Sequence, residues 1–228
     1  MARGLFVTGT DTGVGKTRVG CTLLAAARRR GCDVGAMKPI ETGVDARGPL
    51  DAIALRAAAG VADALDAICP QQFAQPAAPH VAAAAEGRSV DLDAIYAQFA
   101  LLAARHRALL VEGAGGLLVP TRDGADMGDL AAALSLPVLV VARAALGTIN
   151  HTLLTLAELE RRGIELAGVV VSHADGPLPE ADRANLAHLR GALGERLLGE
   201  LPFRAGGFAF DDPEPENLEL DRLLDRLS

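Results

Sequence analysis

Short apolar runs that end in polar or glycine-containing turns alternate along the chain with longer stretches whose apolar residues recur every third or fourth position. The first kind reads as a strand buried on both faces and the second as an amphipathic helix. Strands are predicted over residues 5–8, 34–37, 108–111, 138–142, 168–172 and 197–201. Helices are predicted over residues 17–30, 51–59, 92–104, 126–134, 148–162, 179–193 and 218–227. Gly31, Gly60 and Gly163 stand just past three of these helices, where a left-handed residue ends a helix at least strain. The segment around Pro70, Pro76 and Pro79 reads as irregular, because proline withholds a donor and biases its predecessor away from helix.

Such alternation predicts an α/β fold, a doubly wound and mainly parallel sheet with helices on both faces, formed as one domain over residues 1–228. No internal repeat or low-complexity linker interrupts it. Ligands of such sheets sit at the carboxyl ends of the strands. The polar punctuation falls there, at Thr8-Gly9, Lys38-Pro39, Glu112-Gly113, Ser172-His173 and Pro202.

The run Gly9-Thr10-Asp11-Thr12-Gly13-Val14-Gly15-Lys16-Thr17 joins the first predicted strand to the first predicted helix. In that setting, backbone N–H groups of the loop and helix N-terminus point at an anion, and Lys16 adds a point charge. The Thr17 hydroxyl is placed for a magnesium ion bridging the phosphates. Thr10 occupies the usual first-glycine position, and Gly9 precedes it. The motif in its strand-to-helix context predicts that the chain binds a nucleoside triphosphate.

Composition narrows the field further. The chain has 228 residues, half of them hydrophobic but only 3% aromatic, so the core must be aliphatic. A net charge of −7 argues against nucleic acid as partner, and Arg28-Arg29-Arg30 suits the end of a helix. Cys21, Cys32 and Cys69 have no metal or redox spacing and read as buried or incidental thiols. Without a signal-peptide pattern or a charge-free apolar span, the expectation is a cytoplasmic protein without membrane association.

Glu112 ends an apolar strand and opens the turn Gly113-Ala114-Gly115-Gly116. It reads either as a magnesium ligand, since that hard cation prefers oxygen, or as a solvated turn acid. Lys38 could neutralise a transferring phosphoryl group, or lie exposed with its stem along the sheet. Asp51 reads first as the N-cap of the helix after it. Thr148 reads as a cap whose neighbouring N–H groups could hold a carboxylate. His151 and His173 show no metal or triad pattern and read as structural.

Four blocks together resemble dethiobiotin synthetases, the ATP-dependent enzymes that close the ureido ring in biotin biosynthesis. They are residues 7–17, Lys38-Pro39-Ile40-Glu41-Thr42-Gly43, residues 111–116, and Leu146-Gly147-Thr148-Ile149-Asn150-His151. Gly199-Glu200-Leu201-Pro202-Phe203 resembles the family's late strand and nucleotide-side turn. The resemblance implies ATP, 7,8-diaminononanoate and CO2 or bicarbonate as substrates, Mg2+ as cofactor and a homodimer. It places Lys16, Lys38 and Thr12 at the reaction, and Thr12, Lys38 and Thr42 on the carbamate end of the substrate. It assigns Thr17, Asp51 and Glu112 to magnesium. Gly13, Val14, Gly15, Lys16, Thr17, Arg18, Asp51, Glu112, Gly113, Ala114, Gly115, Ser172, His173, Pro202, Phe203 and Arg204 would surround the nucleotide. Leu146, Gly147, Thr148, Ile149 and Asn150 would take the substrate carboxylate across the dimer interface.

Two positions depart from the family pattern. Ser172 stands for an adenine-recognising asparagine and lacks the two-ended amide match, leaving the base preference open. Gly13 replaces a glutamate found in some members. A partition-type switch ATPase is the main rival, but such proteins carry a lysine where this chain has Asp11, and 218–227 is flanked by acids. A cobyrinate-type amide synthase would need a further glutaminase domain. A binding protein that kept the fold without turnover is the remaining alternative.

Overall fold

In the computed structural model, which describes residues 3–174, 176, 178–204 and 215–227, every residue of the first strand is buried, with neighbouring strands on its two edges and a packed core against each face. In chain order the elements run β1 (Gly4–Gly9), α1 (Lys16–Arg29), β2 (Val34–Met37), β3 (Ile40–Thr42), α2 (Leu50–Ala59) and α3 (Leu65–Ile68). They continue with β4 (Gln71–Phe73), α4 (Pro79–Ala85), α5 (Leu92–Arg105), β5 (Ala108–Gly116), β6 (Pro120–Arg122), β7 (Ala125–Asp126) and α6 (Met127–Leu134). The last are β8 (Val138–Arg143), α7 (Thr148–Arg162), β9 (Leu166–Ser172), α8 (Glu180–Leu193), β10 (Leu197–Leu201) and α9 (Leu220–Leu224). Six strands form one parallel sheet in the order β10-β9-β8-β1-β5-β2.

The two-residue period of the strands sorts their side chains into two cores. Phe6, Leu109, Val111, Val138, Val140, Val169 and Val171 face one layer, packed on Ile95, Leu130, Leu159 and Leu189 of the helices. Leu5, Val7, Leu110, Leu139, Val141 and Val170 face the other, against Val19, Leu23, Leu55 and Leu223. Burial on both faces explains why these strands read as continuous apolar runs rather than alternating ones. The expected doubly wound α/β architecture is the one observed.

Register then lines up the strand ends. Val7 pairs with Glu112, Met37 with Val111, Thr8 with Val140, and Arg143 with Ser172. Lys38, Glu112 and the loop after Gly9 therefore emerge side by side at the carboxyl edge.

Several local expectations are corrected. The segment around Pro70–Pro79 is not irregular throughout, since β3 pairs in parallel with β4 and Pro79 opens α4. Proline is tolerated at a first helical position because that N–H has no intrahelical partner. Strand β5 runs on through the glycine turn to Gly116. Thr148 is not a cap: Gly147, at φ 90°, is the N-cap, and the Thr148 hydroxyl lies 3.5 Å from that of Thr152. The closing helix is shorter than expected, and most of the acidic stretch 211–216 lies outside the described residues. Cys21 and Cys69 are buried free thiols, Cys32 a half-buried one. No helix among the described residues is long and apolar enough to cross a membrane.

At the other end of the sheet, His106 stands between two acids. Its Nδ1 is 2.8 Å from Asp33 and its Nε2 2.8 Å from Asp63, which also accepts from Arg105 at 3.0 Å. Burial pulls the imidazole pKa down, but the two carboxylates outweigh it and the net direction is upward. A histidine raised in the folded state adds its full stability below the unfolded pKa of about 6.5 and loses it as pH climbs through the folded value. His106→Asn is therefore expected to cost about 1–2 kcal/mol at pH 6, with a margin that narrows by pH 9. Urea unfolding at the two pH values measures it, and an unchanged margin would remove the ion-paired histidine from the account.

Candidate active site

The loop between β1 and α1 is shaped by glycines at φ 73° (Gly13) and 94° (Gly15). At Gly15 a Cβ would stand 2.4 Å from the Ser172 hydroxyl oxygen, so only glycine fits. From β8, Arg143 donates to the Thr12 carbonyl at 2.9 Å, tying the loop to the neighbouring strand end. Asp11 accepts from the Thr12 N–H at 2.7 Å, and its carbonyl accepts from Lys16 Nζ at 3.1 Å. Lys16 is 7% exposed. Burial, then the nearby Lys38 ammonium, pulls its pKa down to about 8, partly opposed by Glu112, Asp51 and Asp11.

Beside the loop lies a charged cluster. Lys38 Nζ donates to Glu112 Oε1 at 2.5 Å and to Asp51 Oδ2 at 2.9 Å, and lies 3.5 Å from the Gly113 carbonyl. Thr17 Oγ1 donates to the same Glu112 oxygen at 2.9 Å. Lys38 is 3% exposed and Glu112 fully buried, which decides against both the exposed lysine and the solvated turn acid. Burial alone would lower the Lys38 pKa, yet Glu112 and Asp51 outweigh it and hold the ammonium above the ordinary lysine value. For Asp51, burial raises the pKa but Lys38, Thr17 and Lys16 bring it below the usual carboxylate range.

Asp51 is also not the cap of α2. That N-cap position is Pro49, and Glu41 on β3 does the capping, accepting from Asp51 N at 2.9 Å and Ala52 N at 3.0 Å. Burial raises the Glu41 pKa, with the two N–H bonds opposing it.

The second Glu112 oxygen, Oε2, is buried and meets no hydrogen-bond donor among the described residues. A buried carboxylate oxygen without a partner is costly, and a hard cation would satisfy it. Thr17, Asp51 and Glu112 are all-oxygen donors, and no group of three His, Cys, Asp or Glu side chains that could hold a metal ion by itself occurs among the described residues. That partial set fits magnesium, which keeps waters and takes phosphate oxygens rather than filling a protein cage.

A cleft of about 650 Å3 opens over this cluster. Of the sequence-predicted residues, Thr12, Gly13, Gly15, Lys16, Thr17 and Arg18 line it from the loop. Lys38, Thr42, Glu112, Ala114 and Gly115 line it from the neighbouring strand ends, and Asp51 from the first turn of α2. Val14 is buried in the core, and Gly113 faces Phe6 and Met127. Ser172 is fully buried behind the loop, and His173 pairs with Glu200 at 2.8 Å. The Pro202 carbonyl accepts from Arg18, while Phe203 and Arg204 are exposed outside the cleft. Leu146, Gly147, Ile149 and Asn150 line a separate hollow with Leu153, Leu154 and Asn185. Thr148 is buried beside it.

Residues 76–79, Ile40, Glu41 and Val119 also line the cleft, and sequence reasoning missed them. A Cβ on Gly43, at φ 77°, would lie 3.2 Å from Pro76. The glycine after Thr42 and the paired prolines were the available signals, but nothing local connects them.

The chain is similar to several known proteins. A family model described as an AAA domain matches residues 3–206. The ATP-dependent dethiobiotin synthetase of Anaeromyxobacter dehalogenans (strain 2CP-C) is 55% identical over 82% of this chain and 86% of its own length. That of Aromatoleum aromaticum is 43% identical over 90% and 92%, and that of Bacillus cereus (strain B4264) 40% over 92% and 87%. Among solved structures, the MinC:MinD complex of Aquifex aeolicus aligns with a TM-score of 0.54 at 13% identity, covering 89% of this chain and 82% of that one. The signal recognition particle receptor FtsY of Elizabethkingia anophelis gives 0.53 at 13%, covering 100% and 64%; both are likenesses of fold alone. On these identities and coverages, the chain belongs to the ATP-dependent dethiobiotin synthetase family and is an ATP-dependent ligase.

Proposed function

We propose that the chain, as one domain, carboxylates 7,8-diaminononanoate and closes it to dethiobiotin. One amine adds to CO2 and loses a proton, giving a carbamate. The carbamate oxygen attacks the ATP γ-phosphorus and ADP leaves, forming a carbamic–phosphoric anhydride. The second amine attacks the anhydride carbon and gives up a proton, inorganic phosphate leaves, and the five-membered ureido ring is closed. The observation that carries this reading is the cleft in which the loop lysine Lys16 and the buried Lys38–Glu112–Asp51 cluster face one another.

The protein's work in this scheme is positioning and charge. Loop N–H groups and Lys16 would hold the β- and γ-phosphates, and Lys38 would neutralise charge gathering on the transferred phosphoryl group. Thr12 and Thr42 stand on the cleft wall where the carbamate would meet that group in line. Thr17, Asp51 and Glu112 would hold magnesium, which when bound neutralises phosphate charge. Gly113, Ala114 and Gly115 would let the phosphates approach the backbone, and Arg18 with residues 202–204, the latter outside the cleft proper, would meet the nucleotide's outer side. Ser172, buried behind Gly15, leaves the base to be read by other groups.

Leu146 is 79% exposed and Leu154 61% exposed, an apolar face beside the hollow of residues 146–150. That hollow is apart from the cleft, so a second copy is proposed to bring its own hollow over this cleft and hold the substrate carboxylate. Each site then draws on two chains.

Phosphate release from ATP with magnesium and bicarbonate, with and without the diamine, tests the whole reading when the cyclic urea is followed by mass. Release that ignores the diamine would sink it. Lys38→Ala is expected to slow turnover by about 10²–10³ while ADP affinity stays within a few-fold. The metal-free variant should also lose about 3–5 kcal/mol of stability, because Glu112 is left buried without its countercharge. The pair Leu146→Asp and Leu154→Asp is expected to give monomers by sedimentation, with ADP binding kept and ring closure lost. Active monomers would remove the second copy from the site.

A further inference from the structure

Glu41 is a buried carboxylate that no part of the scheme above uses. It sits in the middle of β3, next to Thr42, and is 7% exposed. A buried carboxylate needs partners, and those of Glu41 are backbone N–H groups of the first turn of α2. Oε1 accepts from Asp51 at 2.9 Å and Oε2 from Ala52 at 3.0 Å. Pro49, the N-cap residue of α2, has no side-chain acceptor, so Glu41 satisfies donors that the helix itself would leave open. The positive end of the helix favours the carboxylate in turn.

The same turn is gripped a second time. Lys38, at the start of the segment that carries Glu41, donates to the Asp51 carboxylate at 2.9 Å. Segment 38–42 thus holds Asp51 by its backbone through Glu41 and by its side chain through Lys38. Fixing the backbone N–H of Asp51 fixes where its Cα–Cβ bond points, and with it where the carboxylate can lie. Both Glu41 oxygens accept from N–H groups, and its hydrogen-bonded link to the cluster is the backbone of Asp51.

We propose that Glu41 is a positioning residue that seats the Asp51 carboxylate beside Glu112 and Thr17 for the divalent cation. The inference rests on Asp51 being a ligand of that cation, as proposed above. Its test uses Mn2+ as the probe, with free Mn2+ read by electron paramagnetic resonance in the presence of saturating ADP. The full-length wild type is compared with Glu41→Gln, Asp51→Asn and the double variant, and Tm is measured without metal. Glutamine keeps the size but offers one acceptor and turns an NH2 group toward the other N–H.

The expected result is that Asp51→Asn weakens Mn2+ binding, and that Glu41→Gln does so by about tenfold with metal-free ADP affinity unchanged. In the double variant the Glu41 change should add nothing further, because its route has been removed. If Glu41→Gln lowers Tm yet binds Mn2+ like wild type below that Tm, the cap is only structural and the proposal falls. If the two losses add in full, Glu41 acts on the cation independently of Asp51, which also overturns it. If Asp51→Asn leaves Mn2+ affinity unchanged, the reading of Asp51 as ligand fails first and the inference goes with it. Should Glu41→Gln not fold, Glu41→Asp, whose shorter arm cannot reach both N–H groups, serves in the same comparison.

Discussion

An ammonium held between two carboxylates at the carboxyl edge of the sheet is the interaction on which the site's arrangement depends. Lys38 and Glu112 are almost wholly removed from water and 2.5 Å apart. Each charge alone would cost several kcal/mol to bury, and together with Asp51 and Thr17 they become tolerable. The pair exists because β2 and β5 are adjacent and in a register that matches Met37 with Val111, so the next residue of each strand projects at the same level. A slip of one residue would send Glu112 to the opposite face.

From that pair the rest of the cleft can be followed outward. Glu112 receives the Thr17 hydroxyl, which fixes the first turn of α1 and so the end of the phosphate loop. Lys38 donates to Asp51, which Glu41 anchors by its backbone, bringing α2 to the cleft wall. On the other flank Arg143 reaches from β8 to the Thr12 carbonyl, and Ser172 packs under Gly15. The loop is therefore held by neighbours from several strand ends. The glycines matter because those neighbours come too close for a side chain.

Charge balance also explains why two lysines can share the site. Lys38 is locked to acids and stays an ammonium, whereas Lys16 leans on a carbonyl and is pulled down by burial and by Lys38. Phosphate oxygens arriving at the loop would supply Lys16 with the counter-charge that Lys38 already possesses. Magnesium fits the same logic, since Glu112 Oε2 has no donor among the described residues and a hard cation prefers oxygen.

Local pattern alone determined a good deal: the doubly wound sheet, the phosphate loop between β1 and α1, and the strand ends that carry Lys38 and Glu112. These follow from short-range rules, because apolar runs buried on both faces and a glycine-rich turn entering a helix look the same in any surrounding chain. It also supplied the four blocks of the family resemblance. The tertiary structure alone excluded the exposed lysine at 38, the solvated turn acid at 112 and the cap at Asp51, since burial and partners come from residues far apart in sequence. It moved the cap of α2 from Asp51 to Glu41 and the cap of α7 from Thr148 to Gly147. It also turned the proline segment into β4 and α4 along the cleft. Those outcomes depend on which strands become neighbours and in what register, and no spacing within a single segment encodes that pairing.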